Sequence, residues 1–309
     1  MDKQYAALYS RKSIVVALVV SVIYFLISYL LIGFKTDQLL LAAIFNTAFF
    51  LSPVARKFIL GFSIFIVYWI LFDYMKAFPN YTFNSVHIQD LYNAERSLFG
   101  INYHQKIITP NEYWLINKTA GLTIMSGLFY LCWIPVPLAF AAWLFFKDKN
   151  MFLHFSLTFV LVNFIGFVIY YIYPAAPPWY YRLNGPGFIA STPGNTAGLQ
   201  QFDNYFHVNI FEGLYAKSSN VFAAMPSLHS SYPLIVFYFG VKKKLGLLNI
   251  VFAAVVLGIW FSAVYTSHHY ILDVLAGISC AVAGIFIFEK ILVKSTRFNR
   301  FLNMYKAII

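Results

Sequence analysis

Apolar residues run along this chain in blocks of about twenty, the length a helix needs to cross a hydrocarbon layer. The blocks are Ser13–Gly33, Gln38–Pro53, Lys57–Met75, Ala120–Phe146, Met151–Tyr173, Pro226–Val241, Leu245–Tyr265 and His269–Val293. The pattern predicts eight spans and an all-α, polytopic membrane helical bundle. The second block is short. Pro135 and Pro137 are expected to kink the fourth, because proline lacks the N–H of a helical hydrogen bond. The first block is too long for a signal-peptide core and is followed by no small-residue cleavage site, so it reads as a retained anchor. Two polar stretches, Pro79–Lys118 and Pro174–Val221, interrupt the pattern. Within the first, Leu91, Leu98, Phe99 and Ile101 among polar neighbours predict an amphipathic helix lying on the membrane.

Composition agrees with the pattern. The chain has 309 residues, 61% hydrophobic and 11% charged, against about a quarter charged in soluble proteins. A disordered tail, a disulfide-stapled secreted module and an ordinary cytosolic enzyme are excluded. The 34 Phe suit lipid-facing and core positions, and the 23 Tyr and 6 Trp suit the interfaces. Cys132 and Cys280 lie in apolar runs without metal-ligand neighbours and read as small core residues.

The net charge of +11 would suggest nucleic acid in a soluble protein. Here it reads as topology, with no nucleic-acid partner. With eight spans both termini share a side, and fifteen of the 22 Lys and Arg fall there. The positive-inside rule makes that side the cytoplasm. Both polar stretches, and six of the seven histidines, then face outward; His154 is the exception.

Two segments at that outer face carry chemistry. One is Pro226-Ser227-Leu228-His229; the other is His268-His269-Tyr270-Ile271-Leu272-Asp273. A spacing of four is expected to put His269 and Asp273 on one helix face. A carboxylate inside the membrane needs a partner, and an imidazole N–H provides one. The pairing fixes the tautomer and leaves the other ring nitrogen as a nucleophile. His229 supplies an acid and base at the same depth. An isolated interfacial histidine is more often a wetted surface group, but this trio is not accounted for that way. No acidic cluster suggests magnesium, and neither a metal nor another cofactor is expected.

These two segments resemble the second and third signature motifs of the type 2 phosphatidic acid phosphatase superfamily. The resemblance implies a six-helix phosphatidic acid phosphatase-type core, with His269 as nucleophile, Asp273 as its orienter and His229 protonating the leaving group. Leu228 stands where those phosphatases carry Gly, Ala263 where they carry a phosphate-binding Arg, and their first Lys/Arg motif is absent. The run Tyr173-Pro174-Ala175-Ala176-Pro177-Pro178-Trp179-Tyr180-Tyr181-Arg182, the doubled His268-His269-Tyr270 and Glu95-Arg96-Ser97-Leu98-Phe99-Gly100 are similar to the inositol phosphorylceramide synthase-like branch. The lost cations fit a phosphodiester, which carries one charge, better than a monoester, which carries nearly two and is usually met by several Arg or Lys.

The expected function is transfer of a phosphoinositol-type headgroup from a membrane phospholipid donor to a ceramide or similar lipid-alcohol acceptor, through a phosphohistidine. A lipid phosphate phosphatase is the alternative. A transporter or scaffold would not need all three of His229, His269 and Asp273. Candidate substrate-binding residues are Arg182, Ser227, His268 and Lys217. Residues 1–118 are expected to form N-terminal spans and the outer amphipathic segment, and residues 119–309 the catalytic membrane core. Short loops and the anchor point to a bacterial inner membrane, with the active site facing the periplasm.

Overall fold

The computed structural model describes Tyr5, residues 8–216 and residues 220–309. Three helices open the chain: α1 (Arg11–Ile32), α2 (Thr36–Leu51) and α3 (Pro53–Tyr74). Their boundaries are set locally. The Ser10 side chain accepts from the Ser13 N–H, and Ser52 accepts from the Ala55 N–H with Pro53 in the first turn. Leu18, Val22, Leu26 and Leu30 of α1 are exposed, as lipid-facing side chains are.

The first polar stretch is more structured than one amphipathic helix. It contains α4 (Gln89–Phe99), an antiparallel hairpin of β1 (Ile101–Tyr103) and β2 (Lys106–Ile108), and α5 (Pro110–Ile116). The fourth apolar run divides into α6 (Ala120–Leu131) and α7 (Pro135–Lys147), with Cys132–Ile134 as a turn between them. Then come α8 (Lys149–Ile172), α9 (Pro178–Asn184), α10 (Gln200–Phe206) and α11 (Ile210–Ala216). The chain ends with α12 (Leu228–Lys242), α13 (Leu248–Tyr265), α14 (Ile271–Lys290) and the amphipathic α15 (Thr296–Ile308).

Among the described residues, six helical stretches are long and apolar enough to cross a membrane. They correspond to six of the eight expected spans. The other two are α2, a shorter apolar helix, and α12, which has 15 residues. The length of α12 has a structural cause. Its first residue, Leu228, packs against Gly166, where an added Cβ would lie 2.7 Å from Leu228 Cδ2. Gly166 is six residues short of the C-terminal end of α8, a depth of about 9 Å at 1.5 Å per residue. The chain therefore descends into the bundle before α12 begins.

The core is centred on α8. Its buried Phe152, Phe155, Phe159 and Val162 cluster with Ile235, Val236 and Phe239 of α12 and with Cys280 and Ala281 of α14. Without a hydrophobic drive between helices in lipid, close packing has to hold them together. Glycine allows it twice on α14. A Cβ at Gly284 would meet Val162 Cγ2 at 2.4 Å, and one at Gly277 would meet the Ser227 carbonyl oxygen at 2.0 Å.

The two ends of the bundle differ. One carries Lys242 paired with Glu289 and Lys243 paired with Asp148, both at 2.5 Å. His154 Nδ1 also lies there, 3.7 Å from Glu289. The other end gathers both long polar stretches. Asn80 Nδ2 ties them by donating to the carbonyls of Tyr170 and Phe222, each at 2.8 Å.

Candidate active site

His229, His269 and Asp273 converge where α12 and α14 begin. His229 Nδ1 lies 3.1 Å from His269 Nε2, and His269 Nδ1 lies 3.5 Å from Asp273 Oδ2. Asp273 is fully buried and His269 is 6% exposed, while His229 remains partly open. The sequence spacing placed His269 and Asp273 on one helical face; the backbone does otherwise. Helix α14 starts at Ile271 with Tyr270 as its N-cap, so both histidines sit in the turn before it. Asp273 reaches back because it occupies the third helical position, where its Oδ2 accepts the Tyr270 N–H at 2.8 Å. That bond turns the carboxylate toward the loop carrying His269.

The histidine turn is held from several elements. Asn111 of α5 donates through Nδ2 to the carbonyls of Val264 (2.8 Å) and His269 (2.9 Å). The Trp179 N–H donates to Ser267 O at 3.1 Å, and the Gly198 N–H to Thr266 O at 2.9 Å. Ser267 itself adopts φ +60°, and a Cβ at Gly198 would lie 2.8 Å from Thr266 Cα. The turn is thus made where three outer segments meet.

Glu95 of α4 braces the start of α14. It is fully buried, and its two carboxylate oxygens accept the N–H groups of Ile271 (3.0 Å) and Leu272 (3.1 Å). Together with Asp273 it satisfies the first three donors of that region, which otherwise lack partners. Burial raises Glu95 to about 7; the two N–H bonds oppose that rise and the Asp273 charge adds to it. On the opposite side, Tyr130 at the end of α6 hydrogen-bonds His229 Nδ1 through its hydroxyl at 3.0 Å, and Tyr215 donates to Tyr130 at 3.4 Å. The Trp133 ring meets that of His229 edge-on at 4.3 Å between centroids.

The other candidates are placed differently. His268 is 4% exposed, accepts from or donates to the Thr266 hydroxyl at 3.1 Å through Nδ1, and leaves Nε2 without a hydrogen-bond partner among the described residues. Burial pushes its pKa well below the ordinary value, and the neighbouring His269 and His229 add to that. Ser227 is fully buried and already engaged: its N–H donates to Asp273 O at 2.8 Å and its Oγ accepts from Ser230 at 3.1 Å. Arg182 is not brought to the trio. It is exposed on α9 and makes no hydrogen bond or ion pair with a described residue. Lys217 lies outside the described residues.

Ala263, at the position of the superfamily arginine, is fully buried. Among the described residues no Lys or Arg is hydrogen-bonded to the trio, and no group of three His, Cys, Asp or Glu could hold a metal ion. Leu228, in place of Gly, fills the space that Gly166 leaves on α8.

Glu95, Asn111, Tyr130 and Tyr215 were missed as site residues in the sequence. Glu95 did carry a signal: it falls four residues after the buried Leu91, so a carboxylate lies on the inward face of α4.

The model describing the PAP2 superfamily matches residues 89–287. A phosphoinositol dihydroceramide synthase of Bacteroides thetaiotaomicron is 41% identical over 302 residues, covering 97% of this chain and 99% of that relative. An inositol phosphorylceramide synthase of Candida albicans is 30% identical over 180 residues, covering 54% of this chain and 37% of the relative. The inositol phosphorylceramide synthase catalytic subunit of Saccharomyces cerevisiae is 33% identical over 122 residues, covering 38% and 29%. The chain thus spans about a third of the length of these two fungal relatives. No solved structure matches.

Proposed function

This chain belongs to the PAP2 superfamily, and from that premise we propose that it transfers phosphoinositol from a phosphatidylinositol-type donor to a ceramide-type lipid alcohol. The observation that carries the reading is the pairing of His229 with His269 and Asp273, in a chain 41% identical along its length to a phosphoinositol dihydroceramide synthase.

His269 Nε2 attacks phosphorus, and the bond from phosphorus to the diacylglycerol oxygen breaks. His229 gives that oxygen its proton. In the second half the acceptor hydroxyl loses its proton to His229 and its oxygen attacks phosphorus as the P–N bond breaks. Asp273 holds the Nδ1 side of His269 and stabilises the positive charge that forms on the ring. Tyr130 orients His229 through Nδ1, Glu95 and Asn111 fix the turn that presents His269, and His268 Nε2 is available to a phosphate oxygen. Among the described residues no Lys or Arg is bonded to the trio, which suits the single charge of a phosphodiester. Residues 119–309 carry the reacting groups and residues 1–118 brace them. The termini face the cytoplasm of a bacterial inner membrane, and the site faces the periplasm.

The test is incubation of the purified protein with phosphatidylinositol and ceramide, followed by mass spectrometry of the lipids. Inositol phosphorylceramide and diacylglycerol are expected in equal amounts. Phosphate release from phosphatidic acid, with no ceramide product, would establish a phosphatase instead. His269→Ala is expected to abolish turnover and acid-labile labelling by a donor carrying radioactive phosphorus.

A further inference from the structure

The fourth apolar run contains two prolines, and only Pro137 is buried. Tyr130 lies near the end of α6 and Pro137 in the first turn of α7, on either side of the Cys132–Ile134 turn. Pro137 is buried there, whereas Pro135 is exposed. Trp133 lies between them, against His229. Because proline has no N–H, the carbonyl four residues earlier loses its helical donor. For Pro137 that carbonyl belongs to Trp133.

Among the described residues no neighbour replaces the lost donor. The Trp133 N–H goes to Tyr130 O, the Val136 N–H to Cys132 O and the Leu138 N–H to Ile134 O. No donor among the described residues reaches Trp133 O. Backbone freed in this way at membrane depth persists where it is buried in protein or lines a cavity. Trp133 is only partly buried, and its ring touches that of a candidate reacting residue. The Tyr130 hydroxyl is committed to His229 and Tyr215.

We infer that the Trp133 carbonyl selects the acceptor by taking a hydrogen bond from the amide N–H of ceramide. The inference rests on the ceramide transfer proposed above. In a ceramide the amide nitrogen is bonded to the carbon next to the one bearing the primary hydroxyl. Holding the amide on Trp133 O sets that hydroxyl against His229, which takes its proton as the oxygen joins phosphorus and the P–N bond breaks. Diacylglycerol offers only ester oxygens at the equivalent place. These are acceptors, and against a carbonyl they leave both groups unpaired. The device therefore favours transfer forward to ceramide over return to diacylglycerol.

The experiment compares ceramide with N-methylceramide as acceptors, at one phosphatidylinositol concentration, for the full-length protein in detergent. Ceramide is expected to exceed the N-methyl analogue about ten- to a hundredfold in kcat/KM, the effect of one buried hydrogen bond. Pro137→Ala supplies an N–H to Trp133 O and should bring that ratio close to one. Pro135→Ala, on the exposed face, should leave the ratio as it is. Equal use of both acceptors by the unmodified protein overturns the inference, as does an unchanged ratio in folded Pro137→Ala. Should that variant fail to fold, the comparison in the unmodified protein still decides. Absence of any transfer to ceramide overturns the proposed function, and this inference with it.

Discussion

Gly277→Ala tests whether the site depends on how closely α14 approaches the start of α12. The new Cβ would lie 2.0 Å from Ser227 O and 2.9 Å from Ser227 C. A carbon–oxygen contact needs about 3.3 Å, so the two backbones must separate by about 1 Å. Neither can yield alone. The Ser227 N–H is bonded to Asp273 O, and Ser231 Oγ donates to Gly277 O at 2.7 Å. The separation therefore carries Asp273 and His269 away from His229, and the 3.1 Å contact between the imidazoles opens. A misplacement of about 1 Å costs catalysis on the order of a hundredfold, while overpacking costs about 1–3 kcal/mol of stability. Phosphoinositol transfer measured by lipid mass spectrometry should fall about a hundredfold in kcat, with a modest loss of melting temperature. Gly121→Ala, where nothing lies within 4 Å of the new Cβ, serves as the control and should retain activity. Full activity in Gly277→Ala would refute the argument that backbone proximity sets the distance between the histidines.

Three further outcomes are expected. Asp273→Asn should keep the fold while lowering kcat on the order of a thousandfold or more, because an amide does not hold the imidazolium charge; lipid mass spectrometry measures it. Leu228→Gly should destabilise the protein by about 2–5 kcal/mol, since it opens the space against Gly166; thermal unfolding in detergent checks the sign and size. The third concerns pH. The buried Glu95 is raised to about 7 from an ordinary 4.5, so between those values the native state binds more protons than the unfolded chain. Its contribution to stability is greatest below about 4.5 and declines as pH rises to about 7. Glu95→Gln should remove that slope from a plot of melting temperature against pH.

The convergence of His229, His269 and Asp273 was legible because the three residues lie in two short segments with fixed spacing. The apolar runs likewise set out the spans, and the prolines of the fourth run marked its break at Cys132–Ile134. What could not be read was the backbone between the histidines and Asp273. Helical spacing was the natural assumption, yet Asn111, Trp179 and Gly198 hold that stretch as a turn. Those contacts join residues far apart in the chain. Asn111 reaches His269 across 158 positions, and Glu95 reaches Ile271 across 176. Periodicity carries no record of such separations. The depth of the site was hidden for a related reason. The meeting of Leu228 with Gly166 shows that α12 starts below the C-terminal end of α8.

The contact between His229 Nδ1 and His269 Nε2 has a consequence for the order of events. Whichever ring donates the shared proton, the lone pair that the proposed attack by His269 requires is engaged or protonated. In the proposed mechanism, nucleophile and acid therefore hold each other in check until a headgroup comes between them. A lone water molecule gains little by doing so, since it must break that bond and offers few contacts in return. A lipid brings a phosphate for His269 and a departing oxygen for His229, and replaces both partners at once. Under the proposed mechanism the resting pair is an interlock, released by a substrate large enough to occupy both imidazoles together.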